Sequence, residues 1–404
     1  MLLSSRVKGI QDSITMKLND KATQLSDEGK VIYNLSGGQL PIKPLPEFIE
    51  KIHHQLNFLK SFQYSPSAGF SALRKKLLKH MTQQRALPSE VIEKDWDAII
   101  SNGSKHSLYN ALGALIDPSD EVILLAPYWV SYPEMVKFWG GTPIVVKSNV
   151  FDAFVPAIED IHKVMTPRTK VIIVNSPNNP SGVHYSESWM RDFAEFLKQY
   201  PDLVVISDEV YSDICYFDPK PTYFYQYDHS LLNRTVIVQA ISKTMAATGL
   251  RLGYTLAPSE VIDAMVRIQG QTTSGPNSLI QRAVLDLDFN HLESFLSPVR
   301  SHIRNNAAFL REKFREAYLG HCWYQSTSAF YFMIDFSRTP MFEKLGGDKD
   351  HSNHIADELL NSEGVAVVPG TDFGIPNTAR ISLVLEEIPF QEAVIKIVKY
   401  LRTP

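Results

Sequence analysis

A set of short apolar, β-branched runs, repeated at intervals between Asp97 and Pro258, restricts the folds open to this chain more than any other feature. They are EVILLAP (Glu121 to Pro127), TPIVVK (Thr142 to Lys147), KVIIVNSP (Lys170 to Pro177), LVVISDE (Leu203 to Glu209) and TVIVQAI (Thr235 to Ile241). Amphipathic stretches such as Ser188 to Gln199 separate them. Strands that are apolar on both faces need cover on both faces, so the pattern predicts an α/β fold with a mostly parallel sheet between helices. Ligand chemistry is then expected in the loops at the carboxyl ends of the strands.

Past about Leu292 the pattern changes. Ser297 to Tyr318 reads as a long helix, AFYFMIDF (Ala329 to Phe336) as a strand and HIADELLNSEG (His354 to Gly364) as a helix ending on glycine. VAVVPG and ARISLVL read as strands, and Phe390 to Leu401 as a terminal helix. This predicts a large domain over 46–295 and a smaller α+β domain built from 1–45 and 296–404. The segment before Pro46 has no sheet of its own and is expected to pack on the tail.

Composition narrows the function. Of 404 residues, 44% are hydrophobic and 21% charged, enough apolar surface for a sizeable core. The net charge of −4 argues against nucleic acid as the main partner, and no DNA-binding segment is appended. Cys215 and Cys322 are the only cysteines and stand far apart, so neither a disulfide framework nor a thiolate zinc site is expected. No signal-peptide core opens the sequence, and nowhere do about 18 apolar residues run together. A soluble, cytoplasmic enzyme is the expectation.

Four segments lie where strands should end. NSPNNPSG (Asn175 to Gly182) follows KVIIV and places the amides of Asn178 and Asn179 at a strand end, though it also serves as a rigid turn. SDEVYSD brings Asp208, Glu209 and Tyr211 out of an apolar strand; an acid there needs a cationic partner such as a protonated ring nitrogen, unless it is a helix cap. SKTMAATGLRLGY sets Lys243 two residues beyond a β-run and Arg251 in a Gly-x-Arg-x-Gly segment; an amine at an apolar strand end is nucleophilic towards an aldehyde, whereas most lysines are merely solvated. SNGSKHSLYNALGALI opens a helix with Gly103, Ser104 and Lys105, which suits a phosphate or is an ordinary cap.

In order and spacing these segments resemble the fold-type I pyridoxal phosphate (PLP) aminotransferases of class I and II. DPSDEVILLAPYWVSYPEMVKFWGGTP (Asp117 to Pro143) is similar to the bacterial aspartate and aspartate/prephenate branch, and the resemblance runs from Ser13 to the terminal helix. It implies that Lys243 bonds the cofactor aldehyde and moves the Cα proton, that Asp208 pairs with the pyridine nitrogen, and that Tyr211 and Asn179 hydrogen-bond the phenolic oxygen. Trp129 would stack on the ring. Gly103, the backbone of Ser104 and Lys105, and Arg251 would hold the phosphate, with Tyr64 reaching over from a second subunit of a homodimer. Arg380, helped by the backbone at Gly38, would grip the α-carboxylate of an amino acid, and Asn179 and Trp129 would also line the substrate site. Lys105 would meet a distal carboxylate together with Ser13 and Thr15, because QTTSGPNS (Gln271 to Ser278) carries no arginine.

The implied reaction is ping-pong amino transfer from an L-amino acid, foremost L-aspartate, to a 2-oxo acid such as 2-oxoglutarate. An aromatic or broad-specificity aminotransferase, or a PLP-dependent lyase, stays open. The chain departs from the family at GGQLPIKP, where a usual aspartate is lost, at Ala240, where a hydroxyl is common, and at the shortened path TDFGIPNTAR. His351 and His354, spaced i, i+3 beside Asp350, lack a third metal ligand and read as a solvated helix start.

Overall fold

The computed structural model of the chain describes residues 4–10, 14–40 and 42–403. In chain order the strands are β1 (Tyr33–Asn34), β2 (Trp96–Ser101), β3 (Glu121–Leu125), β4 (Thr142–Val146), β5 (Thr169–Asn175), β6 (Val204–Asp208), β7 (Thr235–Ala240), β8 (Gly253–Pro258), β9 (Tyr331–Asp335), β10 (Val365–Ala366), β11 (Val368–Pro369) and β12 (Thr378–Ser382). Seven of them form the central sheet in the order β2-β8-β7-β6-β5-β3-β4. β8 runs antiparallel to both β7 and β2, and the other pairings are parallel.

The double-sided apolar runs sort as their period of two requires. Ile99, Val122, Leu124, Val171, Ile173, Ile206, Val236 and Val238 face one layer with Leu108, Leu112, Ile262 and Met265 from the helices Ser104–Leu115 and Ser259–Thr272. Their sequence neighbours Ile100, Ile123, Leu125, Ile172, Val174, Val205 and Ile237 face the other, against Leu77, Phe193 and Val284 from Ser71–Arg85, Glu187–Lys198 and Ser278–Leu285. Neither face is left wet, which is why the runs carry no alternating polar residue. Two strands escaped the apolar-run reading, β2 and β8. Asp97 and Ser101 confine the apolar stretch of β2 to three residues and Thr255 interrupts that of β8, although the Ser101 and Thr255 side chains are fully buried.

The tail forms an antiparallel sheet, β11-β12-β9, packed with the helices His291–Glu316, Ser352–Glu363 and Glu387–Leu401. The long helix begins six residues before the expected Ser297, because it continues through Pro298, which costs it one backbone hydrogen bond but does not end it. VAVVPG is divided rather than continuous: β10 pairs with β1 and β11 with β12, Val367 passing between the two sheets. The N-terminal segment packs on the tail as expected, with Leu18 and Ala22 against Leu360 and Phe373, but it also contributes β1, parallel to β10 with Tyr33 opposite Val365. Among the described residues no helix is long and apolar enough to cross a membrane.

Candidate active site

The parallel strands deliver their last residues to one edge of the sheet, and β8, running the other way, starts there. Ser101 and Ala240 both stand opposite Gly253, and Asn175 stands opposite Asp208. The strand reversal therefore brings Arg251, two residues before Gly253, to the same edge as Ser104, Asn179, Asp208 and Lys243. These residues, with Trp129, Tyr211, Gly38, Lys105 and Arg380, line one cavity of about 640 Å3 between the sheet edge and the tail.

Asp208 is buried at the end of β6. Its Oδ2 accepts the Tyr132 hydroxyl at 2.5 Å and its Oδ1 the Val210 N–H at 3.4 Å. Burial raises its carboxyl to about 6 against the lowering effect of the Tyr132 hydrogen bond. Glu209 points elsewhere, to Arg85 at 3.0 Å, Ser207 and Tyr225, and is a structural ion pair rather than a site group. Asn178 is structural too, its amide bonding Pro127 O, Ser181 N and Ser181 Oγ and so shaping the loop, while Asn175 holds Asn179 N at 2.8 Å.

Lys243 lies in the short helix Ile241–Thr244 after β7, half-buried on the cavity wall. Loss of hydration lowers its amine to about 8, and the nearby guanidinium groups of Arg380 and Arg251 push the same way. Its Nζ donates to Gly38 O and stands 5.7 Å from the Tyr211 ring centroid.

Arg380, on β12, is only 2% exposed. Its Nη1 donates to Asn179 Oδ1 at 3.1 Å and its Nη2 to Ser36 O at 2.7 Å, while Nε has no hydrogen-bond partner. Both partners are neutral, and burial holds its pKa below the ordinary arginine value. A buried guanidinium whose partners carry no charge, and a buried carboxylate met by hydroxyl and N–H rather than by a cation, are expensive arrangements unless a ligand brings the opposite charges. That is the demand of a ligand with a protonated ring nitrogen at one end and a carboxylate at the other.

A third feature suits a phosphate. The helix Ser104–Leu115 starts after Gly103, whose φ is +88°. A Cβ on Gly103 would come within 2.4 Å of Arg251 Nη2, and one on Gly253 within 2.3 Å of Ser104 N. Only glycines let the helix start and the guanidinium converge, which builds an anion seat from backbone N–H groups and Arg251. Beside it, Lys105 Nζ lies 5.0 Å from the Trp129 ring centroid, its pKa lowered first by burial and then by Arg251. The residues present therefore fit PLP at its ring nitrogen, through Asp208, and at its phosphate, and leave Arg380 for a substrate carboxylate.

Other expected residues lie apart. Tyr64 is 94% exposed and does not line this cavity; it follows Leu56, Phe58, Leu59 and Phe62, all exposed. Ser13 lies outside the described residues, and Thr15 falls in the helix Ile14–Asp27 with its side chain likewise outside the description. His351 is not solvated as expected: it is buried at 5% exposure, edge-on to Phe342, because the helix start tucks under the tail. Among the described residues no cluster of His, Cys, Asp or Glu could hold a metal ion.

Sequence reasoning missed Tyr132, Tyr331 and Ser36. Tyr132 follows Trp129 by three residues across the turn that opens the helix Ser131–Phe138, where its N–H bonds Trp129 O and the two rings meet edge-on at 5.5 Å. Tyr331 shares a face with Arg380 only through the register that sets Met333 opposite Arg380, and Ser36 acts through its backbone oxygen; neither is readable from residue type.

Comparison with known proteins gives matches along nearly the whole chain. The family described as Aminotransferase class I and II matches residues 30–397. The chain is 34% identical over 398 residues to a probable aspartate/prephenate aminotransferase of Thermus aquaticus, covering 97% of each. It is 32% identical to the aspartate/prephenate aminotransferase of Nitrosomonas europaea, over 99% of this chain and 100% of the relative. Among solved structures, the aspartate aminotransferase from Thermus thermophilus with maleate superposes with a TM-score of 0.88 at 31% identity, covering 99% of this chain and 100% of that one.

Proposed function

The chain belongs to the class I and II aminotransferases and is an aminotransferase of fold type I; from that premise we propose that it uses PLP to move the amino group of L-aspartate to a 2-oxo acid such as 2-oxoglutarate, in two half-reactions. The observation that carries the reading is that Lys243, Asp208 and Arg380, an amine lowered to about 8, a carboxylate and a guanidinium, open on one cavity without satisfying one another's charge.

Bound there, the cofactor would supply an aldehyde and an electron-withdrawing ring that stores the amino group and acidifies Cα. Asp208 would hold the proton on the ring nitrogen, kept in place by the Tyr132 hydroxyl. Tyr211 and Asn179 would face the phenolic oxygen, Trp129 the ring, and the Gly103–Lys105 backbone with Arg251 the phosphate. Arg380 would present its fork to the substrate α-carboxylate, exchanging Ser36 O for a charged partner, with the Gly38 backbone alongside. Lys243 Nζ is the base that takes the proton from Cα and returns it: at about 8 its pKa lies near neutral pH, where proton transfer in both directions is efficient. Lys105, together with Ser13 and Thr15, would meet the side-chain carboxylate. A catalytic base and two substrate-side cations thus converge from separate parts of the sequence.

We assign the large domain to 46–295 and the small one to 1–45 with 296–404, place the enzyme in the cytoplasm, and take it to act as a homodimer. The exposed apolar side chains of Leu56, Phe58, Leu59, Phe62 and Tyr64 support the dimer, since a second copy would cover them. A broader specificity has one observation in its favour: a second cavity of about 670 Å3, walled in part by Tyr109, Tyr128 and Phe138, shares Lys105 and Arg251 with the first. Steady-state formation of oxaloacetate from L-aspartate and 2-oxoglutarate, with kcat/KM compared for L-phenylalanine, tests the reading. Preference for L-aspartate is expected; a strong preference for L-phenylalanine would remove Lys105 from its role, and absence of oxo-acid product would reject amino transfer.

A further inference from the structure

We propose that Tyr331 is a positioning residue that closes a ring of contacts through Arg380, Asn179 and Tyr211, and so fixes the substrate-binding guanidinium and the cofactor-facing phenol relative to each other. The inference rests on the reading that PLP occupies this cavity.

The ring can be followed atom by atom. Arg380 Nη1 donates to Asn179 Oδ1 at 3.1 Å, Asn179 Nδ2 donates to Tyr211 Oη at 3.5 Å, and Tyr211 Oη lies 3.3 Å from Tyr331 Oη. The guanidinium carbon of Arg380 then sits 4.4 Å from the centroid of the Tyr331 ring, with Phe373 at 5.3 Å, so two aromatic rings hold its plane.

Donor and acceptor rules give the ring a direction. A guanidinium has no acceptor, so Asn179 must turn its oxygen towards Arg380 and its NH2 towards Tyr211. Tyr211 Oη therefore accepts from Asn179. If Tyr331 donates as well, both acceptor positions of Tyr211 are filled and its own hydrogen is left for the cavity. Tyr331 is 2% exposed, so bulk water does not compete for this hydroxyl. A Cβ on Gly38 would lie 3.2 Å from Tyr331 Oη, so the backbone that receives Lys243 Nζ is laid against the same hydroxyl. The charged groups that face Tyr211 are Asp208, Lys243 and Arg380, and none of them combines the two contacts of Tyr331, a ring face under the guanidinium and a hydroxyl beside the phenol oxygen.

The test uses the PLP-loaded protein and two variants, Tyr331→Phe and Tyr331→Leu, with two readouts besides turnover. One is the pH midpoint of the bound cofactor's visible absorbance band; the other is the dissociation constant of succinate, a dicarboxylate without an amino group. A phenol that donates to the cofactor's oxygen favours its deprotonated form, so Tyr331→Phe should move the midpoint to higher pH by roughly half a unit to one unit. Because the ring remains, succinate should bind within about twofold of wild type. Tyr331→Leu should show the same shift and weaken succinate by about tenfold, since Arg380 loses its ring platform. A Tyr331→Phe protein with the wild-type midpoint overturns the hydroxyl's role, and a Tyr331→Leu protein with wild-type succinate affinity overturns the ring's role. If the wild type itself takes up no PLP, the cofactor reading fails and this inference with it; if wild type loads normally and both variants match it, only the inference fails.

Discussion

Replacing Lys243 by methionine should abolish amino transfer and yet make the cofactor-free protein more stable at pH 7. In the folded state the amine is displaced from 10.5 to about 8, chiefly by burial and then by Arg380 and Arg251. Each unit is worth about 1.4 kcal/mol, so the full displacement corresponds to about 3 kcal/mol. The side chain is only half-buried, and solvent screening trims the expected gain to about 2 kcal/mol. The sign follows from linkage. Below pH 8 both folded and unfolded chains carry the proton, and the folded one bears the whole penalty of a charged, poorly hydrated amine; between about 8 and 10.5 the folded state sheds its proton first and the penalty fades. Urea denaturation of both cofactor-free proteins at pH 7 and pH 10 measures the difference. The variant should lead by about 2 kcal/mol at pH 7 and the lead should shrink at pH 10. A variant less stable than wild type at pH 7, or a pH-independent difference, would refute the claim that Lys243 is held out of water against its charge.

Asp208→Asn should act with the opposite pH sense. Its folded pKa, raised from 3.8 to about 6, means that wild-type stability falls as pH rises through that window, so the cofactor-free variant should gain stability above pH 6 and not below about 4, while PLP binds more weakly by absorbance titration. Arg380→Lys keeps the charge but loses the fork, and kcat/KM for the amino acid should drop by roughly 10-fold to 100-fold in initial-rate assays, with PLP affinity unchanged. Lys105→Met should lower kcat/KM for L-aspartate about tenfold or more while sparing L-phenylalanine, read from the ratio of the two.

The central sheet was legible because Val171 to Val174 and their counterparts are apolar at consecutive positions, a pattern that only a doubly covered strand tolerates. β8 was not, because Tyr254 and Thr255 dilute its apolar run and its antiparallel direction is a matter of topology rather than composition. The cavity-lining residues Lys243, Asp208 and Asn179 lie in or beside motifs that stand at strand ends, Arg380 lies within the strand β12, and the structure brings all four to one cavity. Tyr331 escaped because its link to Arg380 depends on the β9–β12 register, and Ser36 because its contribution is a carbonyl oxygen that any residue carries. His351 was misread for a related reason: the i, i+3 spacing says nothing about whether a helix start faces water or the tail.

A cavity that carries out the first half of an amino transfer with PLP must convert a bound amino acid to its oxo acid once per site without any acceptor. Purified protein loaded with PLP should be mixed with L-aspartate and no 2-oxo acid, while the visible absorbance and the released oxo acid are followed together. The visible band should bleach and oxaloacetate should appear in an amount equal to the loaded sites, then stop until 2-oxoglutarate is added. Continuous ammonia release, or a band that L-aspartate leaves untouched, would contradict the proposed amino transfer.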